Sequence, residues 1–291
     1  MIQTTIHGGP NIARHDGTAL AEIRSSLQPG ATYTKLTARG GAKSVTVIGT
    51  KEGEAPRSVE SLARMTPPTS AVINGGYFVH KTELKIDGKV DGAAAQTHDL
   101  GRPVGPTTAR SDHVPVARVW EHDYGYVLNA QGEVALTSGP TLALNGHPAA
   151  LGPDDRFQYR ISGTENPLNA LAGALTHASD ANERAAISLL RDESNAPSHT
   201  VFHALTTDGQ RNLGATMEEW QTITGAGADP SGTRAGAAAS NQFSTLNLDG
   251  GGSVFLGIRD EQGVTQIVRG GVPAESLRPV ANVIATQSSG D

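Results

Sequence analysis

The chain has 291 residues, enough for one large domain or two small ones, and its 37% apolar content suffices for a core of that size. A formal net charge of −6, with no long run of like charges, argues against the basic face that non-specific nucleic-acid binding needs. The absence of cysteine excludes disulfides, thiolate metal sites and a cysteine nucleophile, while 35 glycines against 4% aromatic residues imply many turns and close backbone approaches.

Residues 1–30 read as an irregular N-terminal extension, broken at Gly8, Gly9, Pro10 and again at Pro29 and Gly30. Within it, Leu20, Ile23 and Leu27 have the spacing of a short helix over 17–27. The first ten residues lack a basic stretch followed by an apolar run, so no signal peptide is expected. That leaves residence in the cytoplasm or export by a non-classical route as the expectation. No segment reaches the roughly 18 apolar residues of a membrane span, so membrane insertion is not expected and a soluble domain is.

Strands are predicted over 31–37 and 44–48, joined at Arg39, Gly40 and Gly41. A helix over 58–65 buries Val59, Leu62 and Ala63 and stops before Pro67 and Pro68. The strand 71–73 then runs straight into Asn74-Gly75-Gly76-Tyr77-Phe78. Residues 82–115 are rich in turn formers, and 125–128 with 133–136 form a hairpin. A strand over 141–144 follows, then a helical or irregular insertion over 165–182, then strands over 184–190 and 200–205. Thr216 and Glu219 have capping-box spacing and predict a helix from about 217 to 224, stopping at Gly225. A Gly- and Ala-rich loop fills 225–240. Strands over 245–248, 253–258, 264–268 and 280–285 complete the chain. Strands dominate and connections are short. The expected fold is therefore α+β, a large mixed, mostly antiparallel sheet with flanking helices, forming a single domain over 31–287.

Two glycine turns carry the chemistry. In Asn247-Leu248-Asp249-Gly250-Gly251-Gly252-Ser253, an apolar strand ends in an acid and three glycines. Such a turn lets a ligand approach the backbone and offers consecutive amide donors to a phosphate or a sugar hydroxyl. Asn74-Gly75-Gly76-Tyr77 repeats that pattern with an amide in place of the acid and an aromatic ring able to stack on a sugar. Arg184 opens an apolar strand and offers a guanidinium for a phosphate, or else a surface ion pair with Glu183 or Asp180. His199 and His203 share a strand face, but without a supporting metal motif they read as an ordinary histidine pair.

The order of these blocks resembles the phosphodiester glycosidase family. The resemblance rests on residues 58–78, 138–146, 183–189, 206–220, 247–253 and 278–285, and covers 31–287. The turns at 74–78 and 247–253 are its specific parts, and the absence of cysteine suggests a distant microbial or viral relative. The resemblance implies hydrolysis of a sugar-1-phosphodiester or a related phosphorylated glycoside. It assigns Arg184 to the departing phosphate, helped by the amides of Gly250, Gly251, Gly252 and Ser253 and by the Ser253 hydroxyl. Asp249 would stabilise the oxocarbenium-like centre or activate water, and Asn74 and Asn247 would orient sugar hydroxyls beside Gly75, Gly76 and Tyr77. No metal or cofactor is required. Glu218, Glu219, Asp87 and Asp91 stay open as a second carboxylate. Non-catalytic capture of a sugar phosphate or nucleotide-derived ligand is the alternative. The hydrolase reading makes the partner a small-molecule or glycan phosphodiester substrate.

Overall fold

The β-rich stretches form two antiparallel sheets rather than one. The computed structural model describes residues 27–39, 45–50, 54–78, 134–151, 178–228, 243–272 and 276–287, with the backbone of seven further strands: β1 (Thr5–Ile6), β2 (Ile12–Asp16), β6 (Lys85–Ile86), β7 (Lys89–Val90), β8 (Arg118–Glu121), β9 (Gly125–Leu128) and β13 (Gln158–Ile161). The remaining strands are β3 (Thr32–Arg39), β4 (Val45–Gly49), β5 (Ser70–Asn74), β10 (Val134–Ser138), β11 (Thr141–Leu144), β12 (His147–Pro148), β14 (Arg184–Arg191), β15 (Pro197–Thr206), β16 (Phe243–Asn247), β17 (Phe255–Arg259), β18 (Val264–Arg269) and β19 (Asn282–Gln287). The first sheet runs β1-β2-β3-β15-β14-β16-β11-β12 and the second β18-β17-β5-β19-β4. Three two-stranded pairs, β6-β7, β9-β10 and β8-β13, stand apart. Every pairing among these strands is antiparallel.

The two-residue side-chain period explains how the sheets stack. Ala185 and Ile187 of β14 and Phe202 and Ala204 of β15 point to one side. There they meet Ala71 and Ile73 of β5, Leu256 and Ile258 of β17 and Ile284 of β19. The alternate positions point outward and are covered by helices. Helix α1 (Val59–Arg64) lays Val59, Leu62 and Ala63 on Val72, Phe255, Val283 and Ala285 of the second sheet. Ser58 caps it by accepting from the Ser61 N–H at 3.2 Å. Helix α2 (Met217–Gly227) packs Met217, Trp220 and Ile223 on Tyr33, Ala186 and Leu205 of the first sheet. Its capping box is complete: the Thr216 hydroxyl accepts from the Glu219 N–H at 3.2 Å, and the Glu219 carboxylate accepts from the Thr216 N–H at 2.8 Å. The result is four layers, helix, sheet, sheet and helix.

Beneath α2 the outward face of the first sheet is polar. Fully buried His203 lies 2.7 Å from the Tyr33 hydroxyl through Nδ1 and 2.8 Å from the Ser188 hydroxyl through Nε2, and Ser188 continues to Thr245 at 2.6 Å. Burial, with the Lys35 charge second, holds the His203 ring well below its usual pKa, so it is neutral.

Three expectations change. The single mixed sheet becomes two antiparallel ones, because alternation fixes which side of a strand is buried and not which strand lies beside it. Residues 5–6 and 12–16, expected to be irregular, extend the first sheet, with Ile12 opposite Ala38. Helix α2 continues past Gly225 to Gly227, where the buried Lys35 ammonium donates to the terminal carbonyl at 3.0 Å. The helix expected over 17–27, apart from Leu27, most of the insertion over 165–182 and the loop expected over 225–240, apart from 225–228, lie outside the described residues, as does 82–115 apart from β6 and β7.

Candidate active site

Antiparallel pairing brings the two glycine turns to one end of the sandwich. Arg184 opens β14 opposite Leu205 near the end of β15, while Ala186 faces Asn247 at the end of β16. In the second sheet Asn74 closes β5 opposite Val283, and Phe255 opens β17 opposite Arg269 at the end of β18.

The first turn is consumed by the fold. The Gly75 N–H donates to the Asn282 carbonyl at 2.9 Å and the Gly76 N–H to Asn282 Oδ1 at 3.0 Å. A β-carbon on Gly75 would collide with the Asn282 side chain, so only glycine allows this approach. Asn74 is fully buried, and its Nδ2 donates to the Asp249 carbonyl at 2.8 Å while its Oδ1 accepts from the Phe255 N–H at 3.1 Å. Its amide thus brackets the second turn from both ends and is spent on main chain. Phe78 is buried in the cluster beneath α1.

The second turn is partly open. Asp249, half-buried, follows β16, and Gly251–Ser253 form a 3-10 turn in which Gly251 takes φ 59°. The Gly250 N–H donates to the Asp249 carboxylate at 3.0 Å, the Gly251 N–H to the Glu183 carbonyl at 2.9 Å, and the Ser253 N–H to the Gly250 carbonyl at 3.2 Å. Of the four amides expected to cradle a ligand, only that of Gly252 lacks a partner among the described residues. The Ser253 hydroxyl is buried without a well-aligned hydrogen bond, yet lies near enough to favour the Asp249 carboxylate. Burial is the larger influence and raises the Asp249 pKa, opposed by Ser253 and by the charge of Arg278.

Tyr77 links the turns. The residue is half-buried, and its phenol oxygen accepts from Asn247 Nδ2 at 2.7 Å. Burial raises its pKa, with Arg184 lowering it and Asp249 raising it by their charges, so the phenol stays protonated with both groups in Coulombic reach. Asn247 also lies 3.0 Å from the Gly139 carbonyl, and its Oδ1 is buried without a partner among the described residues.

Arg184 is 4% exposed, so it is a buried cation rather than half of a surface ion pair. Its Nε donates to the Ala215 carbonyl and its Nη2 to the Asp180 carbonyl, each at 2.9 Å. Glu183 points the opposite way. One of its carboxylate oxygens accepts from the Thr207 N–H at 2.9 Å and the other from the Gly271 N–H at 2.6 Å. That buried carboxylate ties the loop after β15 in the first sheet to the loop after β18 in the second. Sequence reasoning missed Glu183, Asn282 and Arg278. For Glu183 the signal was present, since neighbours on a strand face opposite ways. For the other two it was not.

Glu219 is occupied at the helix cap, Glu218 is exposed, and Asp87 and Asp91 lie outside the described residues. Among the described residues no three His, Asp or Glu side chains converge to hold a metal. No described helix is long and apolar enough to cross a membrane. A shallow groove lined by Leu142, Ala143, Pro148, Gln221 and Phe243 lies away from Asp249 at the edge of the first sheet, and it contains no acid or base.

No family model matches the chain, and no curated protein does. Among solved structures, it is similar to the catalytic domain of zebrafish N-acetylglucosamine-1-phosphodiester alpha-N-acetylglucosaminidase, auto-inhibited by its pro-peptide. The match has a TM-score of 0.52 at 14% identity and covers 99% of this chain and 88% of that one. At that identity the likeness is one of fold.

Proposed function

We propose that the chain is a hydrolase that cleaves the glycosidic bond of a sugar-1-phosphodiester. The carrying observation is the meeting of Asp249, Tyr77 and Arg184 at one end of the sandwich, where burial raises the Asp249 pKa and both charges act on the Tyr77 phenol. The fold shared with a phosphodiester-cleaving glycosidase supports the same reading. In the reaction the bond between the anomeric carbon and the phosphate oxygen breaks. The phosphomonoester leaves with the electron pair, and a water oxygen adds to the carbon and gives up a proton. A phosphate monoester leaves more readily than an alkoxide, so charge stabilisation outweighs proton donation. Asp249 stabilises the oxocarbenium-like centre or takes the proton from water. Tyr77, whose oxygen accepts from Asn247, keeps its own O–H to donate to the substrate. Asn74 acts as a positioning residue, since its amide holds the Asp249 carbonyl.

A second reading is non-catalytic capture of a sugar phosphate. It is favoured by the lack of a second uncommitted carboxylate in the described cluster, since Glu183 is fully engaged by backbone amides. Incubating the chain with sugar-1-phosphodiesters, nucleotide sugars and cyclic nucleotides, followed by mass spectrometry, separates the two. Release of free sugar and phosphomonoester, abolished by Asp249→Asn, supports hydrolysis. Ligand recovered intact and stoichiometrically bound supports capture.

A further inference from the structure

The guanidinium expected to clamp the phosphate is committed to main chain at two of its three nitrogens. Arg184 directs Nε and Nη2 at main-chain carbonyls; the first bond holds its strand end against the entrance to α2 and the second ties it to the chain just before β14. Two other arginines flank the glycine turn directly. A β-carbon placed on Gly252 would sit 3.6 Å from Nη2 of Arg278, and one placed on Gly251 would sit 4.0 Å from Nη2 of Arg211. Arg278 is half-buried and Arg211 exposed, and neither guanidinium hydrogen bonds or ion pairs with any described residue. The same turn carries the Gly252 N–H, its one amide without a partner among the described residues, and the buried Ser253 hydroxyl, which lacks a well-aligned partner. The stretch therefore gathers two cations and two neutral donors beside Asp249.

We propose that Arg278, the Gly252 amide and the Ser253 hydroxyl form the anion subsite of this end of the sandwich, that Arg211 is its outer cation, and that Arg184 is a positioning residue. The ligand chemistry is a phosphoryl group, and naming it the leaving phosphate of a glycosyl phosphodiester rests on the hydrolase reading above. A guanidinium presents paired N–H donors that match two phosphoryl oxygens. The glycine side of the turn keeps a β-carbon from standing in the way. Arg278 also balances Asp249, so a phosphoryl group can approach the carboxylate without meeting an uncompensated anion. Arg211, exposed at the rim, acts through a longer-range charge that salt screens.

Calorimetric titration of the full chain with methyl phosphate and with inorganic phosphate tests this independently of turnover. Arg278→Gln is expected to weaken binding by about tenfold to a hundredfold. Arg278→Lys, which keeps the charge and the packing stem, stays between wild type and Arg278→Gln. Arg211→Gln loses about threefold at low ionic strength, and that loss disappears in high salt. Undiminished phosphate affinity in Arg278→Gln overturns the assignment, as does wild-type protein that binds neither phosphate. A wild-type chain that binds phosphate through Arg278 but hydrolyses no sugar phosphodiester keeps the subsite and removes the hydrolase reading.

Discussion

The two glycine turns look alike in sequence and differ in use. At Asn74-Gly75-Gly76 both glycine amides donate to Asn282, and the asparagine side chain is spent on the backbone of the other turn. At Asp249-Gly250-Gly251-Gly252 the acid is half-buried and one amide has no partner among the described residues. The first turn is a bracket and the second is what it holds. Equal motifs can thus divide between scaffold and chemistry, and the hydrogen-bond inventory tells them apart where the residue types cannot.

The largest effect separating the turns is expected from Asp249→Asn. Loss of the carboxylate should lower turnover of a sugar-1-phosphodiester by about a thousandfold, within the range for a residue in acid–base or charge stabilisation. Its stability should move the other way. Burial raises the Asp249 pKa, so the folded chain holds this proton more tightly than the unfolded chain does. The contribution of the group is most favourable at low pH and declines as pH rises through the folded-state value. Asp249→Asn is therefore expected to unfold at an equal or higher urea concentration than wild type at neutral pH. The acid limb of the activity profile should have its midpoint above the ordinary 3.8. A lower urea midpoint for the variant would place Asp249 in the scaffold instead.

Next come paired alanines. Gly75→Ala forces a β-carbon into Asn282 and is expected to cost about 3 kcal/mol by chemical denaturation. Gly252→Ala meets only ordinary contact with Arg278 and is expected to cost under about 1 kcal/mol. Equal costs would erase the distinction between bracket and held turn. Asn74→Ala leaves the Asp249 carbonyl and the Phe255 N–H without their partner and is expected to cost about 2 kcal/mol.

The last test concerns the layer beneath α2 rather than the turns. His203 is held neutral, with a folded-state pKa well below 6.5. Its contribution is complete above pH 6.5 and is lost as pH falls from there toward the folded-state value, by about 1.4 kcal/mol per unit. A His203→Gln variant should show a shallower decline in urea midpoint between pH 7 and 5 than wild type.

What the sequence made legible was local. The capping box at Thr216 and Glu219 depends on a spacing of three residues, and the structure contains it. The positions of Asn74 and Asp249 at strand ends follow from apolar runs meeting glycines, and the structure puts both at one end of the sandwich. What stayed hidden depended on distant chain. Nothing near Gly75 in sequence indicates that residue 282 will occupy the space beside it, and nothing near Gly252 indicates Arg278. The split into two sheets was hidden for the same reason, since strands such as β5 and β14 are buried on both faces and carry no mark of their neighbours. The surplus of amides expected at the second turn is reduced because two of the four donors are satisfied inside the turn and a third by the Glu183 carbonyl.

Glu183 and Arg184 stand side by side in the chain, yet the pleat sends the carboxylate toward Thr207 and Gly271 and the guanidinium toward Ala215 and Asp180. A misthreaded β14, offset by a single residue, would present a cation to backbone amides and an anion to backbone carbonyls. Both ends would repel. The adjacent opposite charges thus act as a proofreading key for strand alignment, written in two letters of the sequence.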